Sequence, residues 1–237
     1  MQGALSERAN TAEPPQPTHD PHAGVLYFLE PEGKRMIMSF SGLPAGVPMV
    51  PFEFVRMLST VDVKTVFLRD HAQAWFHRGV RGVGDNIDAV AEHVRRVASQ
   101  AEEVVMIGTS AGGYAALLFG AMTGCEAHAF VPQTFLDPEL RAEHRDQRWA
   151  EPLAALGDDL DRRYADLLPT VAAGTAPAHL YYGQGHAGLD RVHAERLAPV
   201  PHVTLHAFES TRHALVQELR DSGWLGDFLQ GLARGSL

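Results

Sequence analysis

Val104-Val105-Met106-Ile107-Gly108-Thr109-Ser110-Ala111-Gly112-Gly113-Tyr114-Ala115-Ala116-Leu117-Leu118-Phe119 holds three signals in succession. An apolar run suits a buried strand, and a run of small and apolar residues suits a buried helix. Between them stands Gly-x-Ser-x-Gly, the pattern of a nucleophile elbow. So tight a turn requires small neighbours. Gly108 and Gly112 leave room for adjacent backbone, and Ser110 is expected in a strained conformation at the strand tip. The amides at the start of the helix favour negative charge developing at whatever Ser110 attacks. A plain glycine-rich turn can share the pentapeptide. The strand before it and the helix after it favour the functional reading.

Working outward, Val25–Leu29, Arg35–Phe40 and Lys64–Leu68 are short apolar runs and read as strands. Between Asp85 and Gln100, Ile87, Val90, Val94 and Val97 recur at helical spacing, which predicts an amphipathic helix covering a sheet. Downstream of the elbow, Ala127–Val131, Ala178–Tyr182 and His202–Phe208 read as strands. Asp190–Leu197 reads as a helix, and Arg212–Leu232 as a helical region broken at Gly223. Strands alternating with helices predict an α/β chain with a mainly parallel, doubly wound sheet.

The 237 residues suit one domain over 23–237, and 45% apolar against 21% charged residues is the balance of a globular protein. Residues 1–22, with Pro14, Pro15, Pro17 and Pro21 among polar residues, read as a disordered arm. The net charge of -9 argues against nucleic acid and anionic membranes as partners. A single cysteine, Cys125, permits no intrachain disulfide and reads as small core filler. With no apolar span and no basic-then-apolar leader, this suggests a cytoplasmic protein. The composition leaves the oligomeric state open.

On the elbow and its flanks the chain resembles the α/β-hydrolase superfamily. That resemblance implies a serine hydrolase with partners in the order serine, acid, histidine. His213, between the last strand and the last helical region, then stands as the base, since a serine hydroxyl is a poor nucleophile until an imidazole takes its proton. The acid departs from the usual pattern: His186 occupies the position where many members carry aspartate. Asp190, four residues on, is the favoured acid. Asp137 is the competitor, and a mere helix cap is the plainer role for Asp190. The resemblance also implies an oxyanion hole from the amides of Ala111 and of Leu43, in the Ser41–Gly46 loop where Gly42 lets backbone approach the substrate.

Leu68–Gly79 carries Arg69, Trp75 and other polar and aromatic residues just after a strand. It reads as a substrate wall, with a buried Trp75 and a structural Arg69–Asp70 pair as the alternative. Together with Phe130–Thr134 this segment is similar to an α/β-hydrolase-like branch linked to bacterial glycan acetylation. Polar residues 138–170 fall where family members insert a helical cap. His186, Asp190 and His193 have a spacing that could suit a metal, but an elbow serine needs none, so no metal and no cofactor are expected. The expected activity is hydrolysis of a small-molecule ester or thioester. The rivals are an acyltransferase with a hydroxyl acceptor and a non-catalytic binding protein of the same fold.

Overall fold

A computed structural model describes residues 22–43, 51–185, 188–210 and 213–236. The expected arm, apart from His22, lies outside the described residues, as does His186. Among the described residues, seven strands form one sheet in the order β1-β3-β2-β4-β5-β6-β7. They are β1 (Val25–Phe28), β2 (Arg35–Phe40), β3 (Lys64–Leu68), β4 (Glu103–Thr109), β5 (Glu126–Phe130), β6 (Ala178–Gly183) and β7 (Val203–Phe208). β1 runs antiparallel to β3, and all other pairings are parallel.

Both faces of the middle of the sheet are covered, which is why β2 to β6 are largely buried runs, whereas the outer strands β1 and β7 are only partly buried. Met36, Met38 and Phe40 of β2 and Met106 of β4 point to one side. There they meet α2 (Ile87–Ala98) and α3 (Ala111–Thr123). Ile37, Val105 and Ile107 point to the other side, against α1 (Val55–Leu58), α8 (Leu215–Asp221) and α9 (Trp224–Arg234). Helix α2 is amphipathic as its spacing predicts, and its first turn is capped by the Asn86 side chain, which accepts from the Ala89 amide at 2.9 Å. Helix α3 is buried at every residue from Ala111 to Gly120, so it has no polar face at all.

The segment after β5 carries α4 (Pro138–Glu143), α5 (Ala150–Leu156) and α6 (Leu167–Ala173), and α7 (Leu189–Glu195) follows β6. Gly223, at φ 84°, separates α8 from α9 where the sequence places a break. Among the described residues, no helix is long and apolar enough to cross a membrane.

Candidate active site

The turn after β4 is built by close approach of backbones. A Cβ on Gly108 would lie 2.1 Å from the Gly112 carbonyl oxygen, and one on Gly112 would lie 2.1 Å from that of Phe40. Neither position tolerates a side chain without moving main chain. Ser110 takes φ 54° and ψ −117°, a region that L-residues rarely occupy. Its amide donates to the Phe130 carbonyl at 2.8 Å, which ties the turn to the end of β5. The hydroxyl is held at the rim of the parallel sheet, at the mouth of α3.

Three chain-distant side chains meet there. His213 Nε2 lies 3.2 Å from Ser110 Oγ, and His213 Nδ1 lies 2.9 and 3.0 Å from the two Asp190 carboxylate oxygens. A carboxylate only accepts, so Nδ1 carries the proton and Nε2 presents its lone pair to Ser110. Burial pushes the Asp190 carboxyl up, but the hydrogen bonds from His213 and Arg148 outweigh it and hold the group below the usual carboxylate range. Asp190 does not cap its helix: the cap position of α7 is Gly188. Asp137 does the capping instead, accepting from the amides of Glu139 and Leu140 at the start of α4 and facing Arg162 at 3.4 Å.

Two neighbours to which the sequence reading gave no role of their own, Arg148 and Gln133, hold this chain in place. Arg148 donates from Nη1 to Asp190 at 2.6 Å and grips Asp146 through Nε and Nη2 at 3.0 and 2.9 Å. Asp146 in turn accepts from His193 Nε2 at 3.0 Å. The Thr134 amide donates to His193 Nδ1 at 2.9 Å, so His193 must carry its proton on Nε2. Gln133 Nε2 donates to Ser110 Oγ at 2.9 Å. Its amide is oriented by Trp75, whose indole N–H donates to Gln133 Oε1 at 3.1 Å. Arg148 sits in a polar segment with nothing local to mark it, whereas Gln133 follows β5 at the same rim as Ser110.

That indole bond corrects the expected substrate wall. Trp75 is fully buried behind Gln133 and does not line the cleft at Ser110. The reason is Asp70, a buried carboxylate that accepts the amides of Ala72, Ala74 and Phe76 and turns the loop inward, with Trp75 and Phe76 at positive φ. Arg69 is also buried: its guanidinium stacks on Phe52 at 4.1 Å, and its Nε donates to the Ala23 carbonyl at 2.8 Å.

A cleft of about 180 Å³ opens at Ser110, lined by Gly42, Leu43, Pro51, Glu53, Thr109, Trp149 and His213. Gly42 packs on the turn, since a Cβ there would stand 2.9 Å from the Thr109 carbonyl oxygen and 3.8 Å from Ser110 Cβ. Leu43 follows it, and Ala111 begins α3 directly after Ser110, so the two expected amide donors belong to segments flanking one hydroxyl. Trp149 comes from the 138–170 segment, its ring centroid 5.8 Å from that of His213.

Of the three residues whose spacing could suit a metal, His186 lies outside the described residues, Asp190 holds His213 and Arg148, and His193 holds Asp146. A second cluster, Glu126, His128 and His179, gathers three possible ligand atoms within 4.8 Å of one another. Its two imidazoles are stacked at 4.7 Å and 9°. Rings so nearly parallel do not aim both Nε2 lone pairs at one ion about 2.0–2.1 Å from each. As they stand, these side chains form a hydrogen-bonded stack that Tyr181 and His206 continue.

No family model and no curated protein matches the chain. Solved structures do. The capsule O-acetyltransferase of Neisseria meningitidis serogroup A superposes with a TM-score of 0.63 at 14% identity, covering 87% of this chain and 90% of its own. The meta-cleavage product hydrolase from Pseudomonas fluorescens gives 0.57 at 12%, covering 91% and 97%. An α/β fold family hydrolase from Bacillus anthracis gives 0.54 at 14%, covering 90% and 96%. With its mostly parallel seven-stranded sheet flanked by helices, the chain has the α/β-hydrolase fold.

Proposed function

We propose that the protein is a serine acyl hydrolase, an esterase or thioesterase working through an acyl-enzyme on Ser110. The observation that carries this reading is the chain Asp190–His213–Ser110 ending on a strained serine at the tip of β4. Ser110 Oγ attacks the acyl carbon while His213 Nε2 takes its proton. Asp190 keeps the imidazole in the required tautomer and stabilises the imidazolium, and Arg148 holds Asp190. The Ala111 and Leu43 amides stabilise the tetrahedral oxyanion. His213 returns the proton to the leaving group. Water then attacks the acyl-enzyme by the same steps and releases the acid. The substrate is a small acyl ester or thioester; with a net charge of -9, nucleic acid is not a partner, and the cytoplasm is the proposed compartment.

A second reading replaces water by a hydroxyl acceptor, and the similarity to an O-acetyltransferase favours keeping it. The two share every step up to the acyl-enzyme and differ in what resolves it. Labelling with a fluorophosphonate tests the shared part. Ser110 should be the labelled residue, and Ser110→Ala should abolish labelling and lower turnover by orders of magnitude without unfolding the protein. Labelling that survives in Ser110→Ala puts the reactive nucleophile elsewhere and sinks both readings, whereas a wild-type protein that is not labelled at all leaves a non-catalytic binding protein. Products formed from an acyl donor with and without an added alcohol then separate hydrolysis from transfer.

A further inference from the structure

The cleft beside Ser110 contains two polar side chains that the triad does not use. Glu53 lines it, with its main chain pinned from below by Ser39 Oγ, which donates to the Glu53 carbonyl at 2.8 Å. Among the described residues, the Glu53 carboxyl has neither a hydrogen bond nor an ion pair. Burial pushes it above the usual carboxylate range, with Arg220 pulling more weakly the other way. Across the same cleft stands Trp149, whose indole N–H is buried and has no acceptor among the described residues. A buried polar group is rarely left unpaired, so the Trp149 N–H has a cost that a bound acceptor removes; Glu53 is half-buried, and its carboxyl keeps contact with the cleft's solvent.

We infer that Glu53 and Trp149 are specificity determinants for a substrate whose alcohol portion is neutral and bears hydroxyl groups. The two side chains ask for opposite things. Glu53 needs a donor and Trp149 needs an acceptor. An ammonium group could satisfy Glu53 but offers Trp149 no lone pair. A carboxylate or phosphate could accept from Trp149 but would face the Glu53 carboxyl. An alkyl group satisfies neither. A hydroxyl both donates and accepts, so a diol or polyol fills both positions and leaves its esterified oxygen at Ser110. The energetics favour such a site for selection: an analogue lacking the hydroxyls leaves the buried Trp149 N–H unpaired and sets an apolar group against the Glu53 carboxyl, which discriminates more than a missing methylene does.

This inference rests on the Ser110 reading, and the experiment separates the two. Four acetate esters with the same acyl group are compared: the glycerol monoester, the propan-1-ol ester, the choline ester and the 2-acetamidoethyl ester. The quantity read is the kcat/KM ratio of the glycerol to the propyl ester within each protein, so a general loss of activity cancels. The wild-type ratio should be tenfold or more. Glu53→Met should bring it close to one, Trp149→Phe should cut it several-fold while keeping an aromatic ring, and Glu53→Gln, which keeps an acceptor, should retain part of it. Where Ser110 is labelled but no ester turns over, the slowing of labelling by glycerol, propan-1-ol and choline gives the same comparison. A wild-type ratio near one overturns the inference, as does an unchanged ratio in both Glu53→Met and Trp149→Phe. A choline ester or an acetamide ester leading the series overturns it too. Unlabelled Ser110 overturns the triad reading and this inference with it.

Discussion

At the scale of single residues, Asp190 and Asp137 are both aspartates that follow a strand, and their partners separate them. Asp190 bonds to His213 and Arg148, whereas Asp137 closes the first turn of α4. Asp190→Asn should therefore lower turnover or fluorophosphonate labelling by about 10⁴, the cost of losing tautomer control in a serine triad. Asp137→Asn, an equally good cap, should leave both near wild type. Reversed effects would move the acid to Asp137. Backbone strain gives an independent check. Alanine keeps a Cβ at φ 54°, but glycine removes it, so Ser110→Gly should melt above Ser110→Ala by an amount corresponding to about 1 kcal/mol. Equal melting temperatures would mean that the turn is not strained. That Ser110, His213 and Asp190 meet was legible because, in the family that the elbow pattern resembles, a fixed chain order goes with that pattern. For Trp75 and Arg69 the sequence left a substrate wall and a buried role side by side, and their burial favours the second for a physical reason. Chain position puts the Leu68–Gly79 segment at the rim, but the direction of its side chains depends on Asp70 collecting three amides, and no local pattern announces that. Arg148 was invisible for a related reason: its partner Asp190 lies 42 residues away.

At the scale of elements, β4 and α3 are joined by a turn with no spare volume. Gly112→Ala should destabilise by several kcal/mol, since its new methyl would press on the Phe40 carbonyl and push β2 off β4. Gly223→Ala is the matched control. Its added Cβ meets nothing within 4 Å, so only the positive φ opposes it, at roughly 1–2 kcal/mol. Urea unfolding of both variants measures the difference, and comparable losses would show that the turn has room after all. Strands β2 to β6 were readable as apolar runs because both faces of the sheet are covered. Helix α1 was not, since a single turn of four residues has no period to detect. The 138–170 segment was recognised as helical. Its division into α4, α5 and α6 follows from tertiary partners such as the Thr134 carbonyl, which accepts the Leu167 amide.

At the scale of the whole molecule, buried imidazoles set a pH dependence. Burial holds His77, His93 and His179 down at about 4, and lowers His193 and His206 as well. In the unfolded chain they titrate near 6.5. Below that pH the unfolded state binds more protons than the native state, so stability falls as pH drops from about 6.5 towards 4. The depressed Asp146 and Asp190 carboxylates add stability above the ordinary carboxylate range, which is lost as pH falls further. Melting temperatures across pH 7.5 to 4 should decline steadily through this window, and a flat profile would show the imidazoles to be charged in the native state. The order of the three meeting side chains along the sequence has a consequence for biosynthesis. Ser110 is made 103 residues before His213, and Asp190 lies 23 residues before it. On the proposed mechanism, a nascent chain still waiting for β7 and α8 has Ser110 without His213 and should not be acylated on the ribosome. Stalled chains ending between Glu126 and Phe208 should resist fluorophosphonate, with reactivity arriving only after His213 has left the exit tunnel.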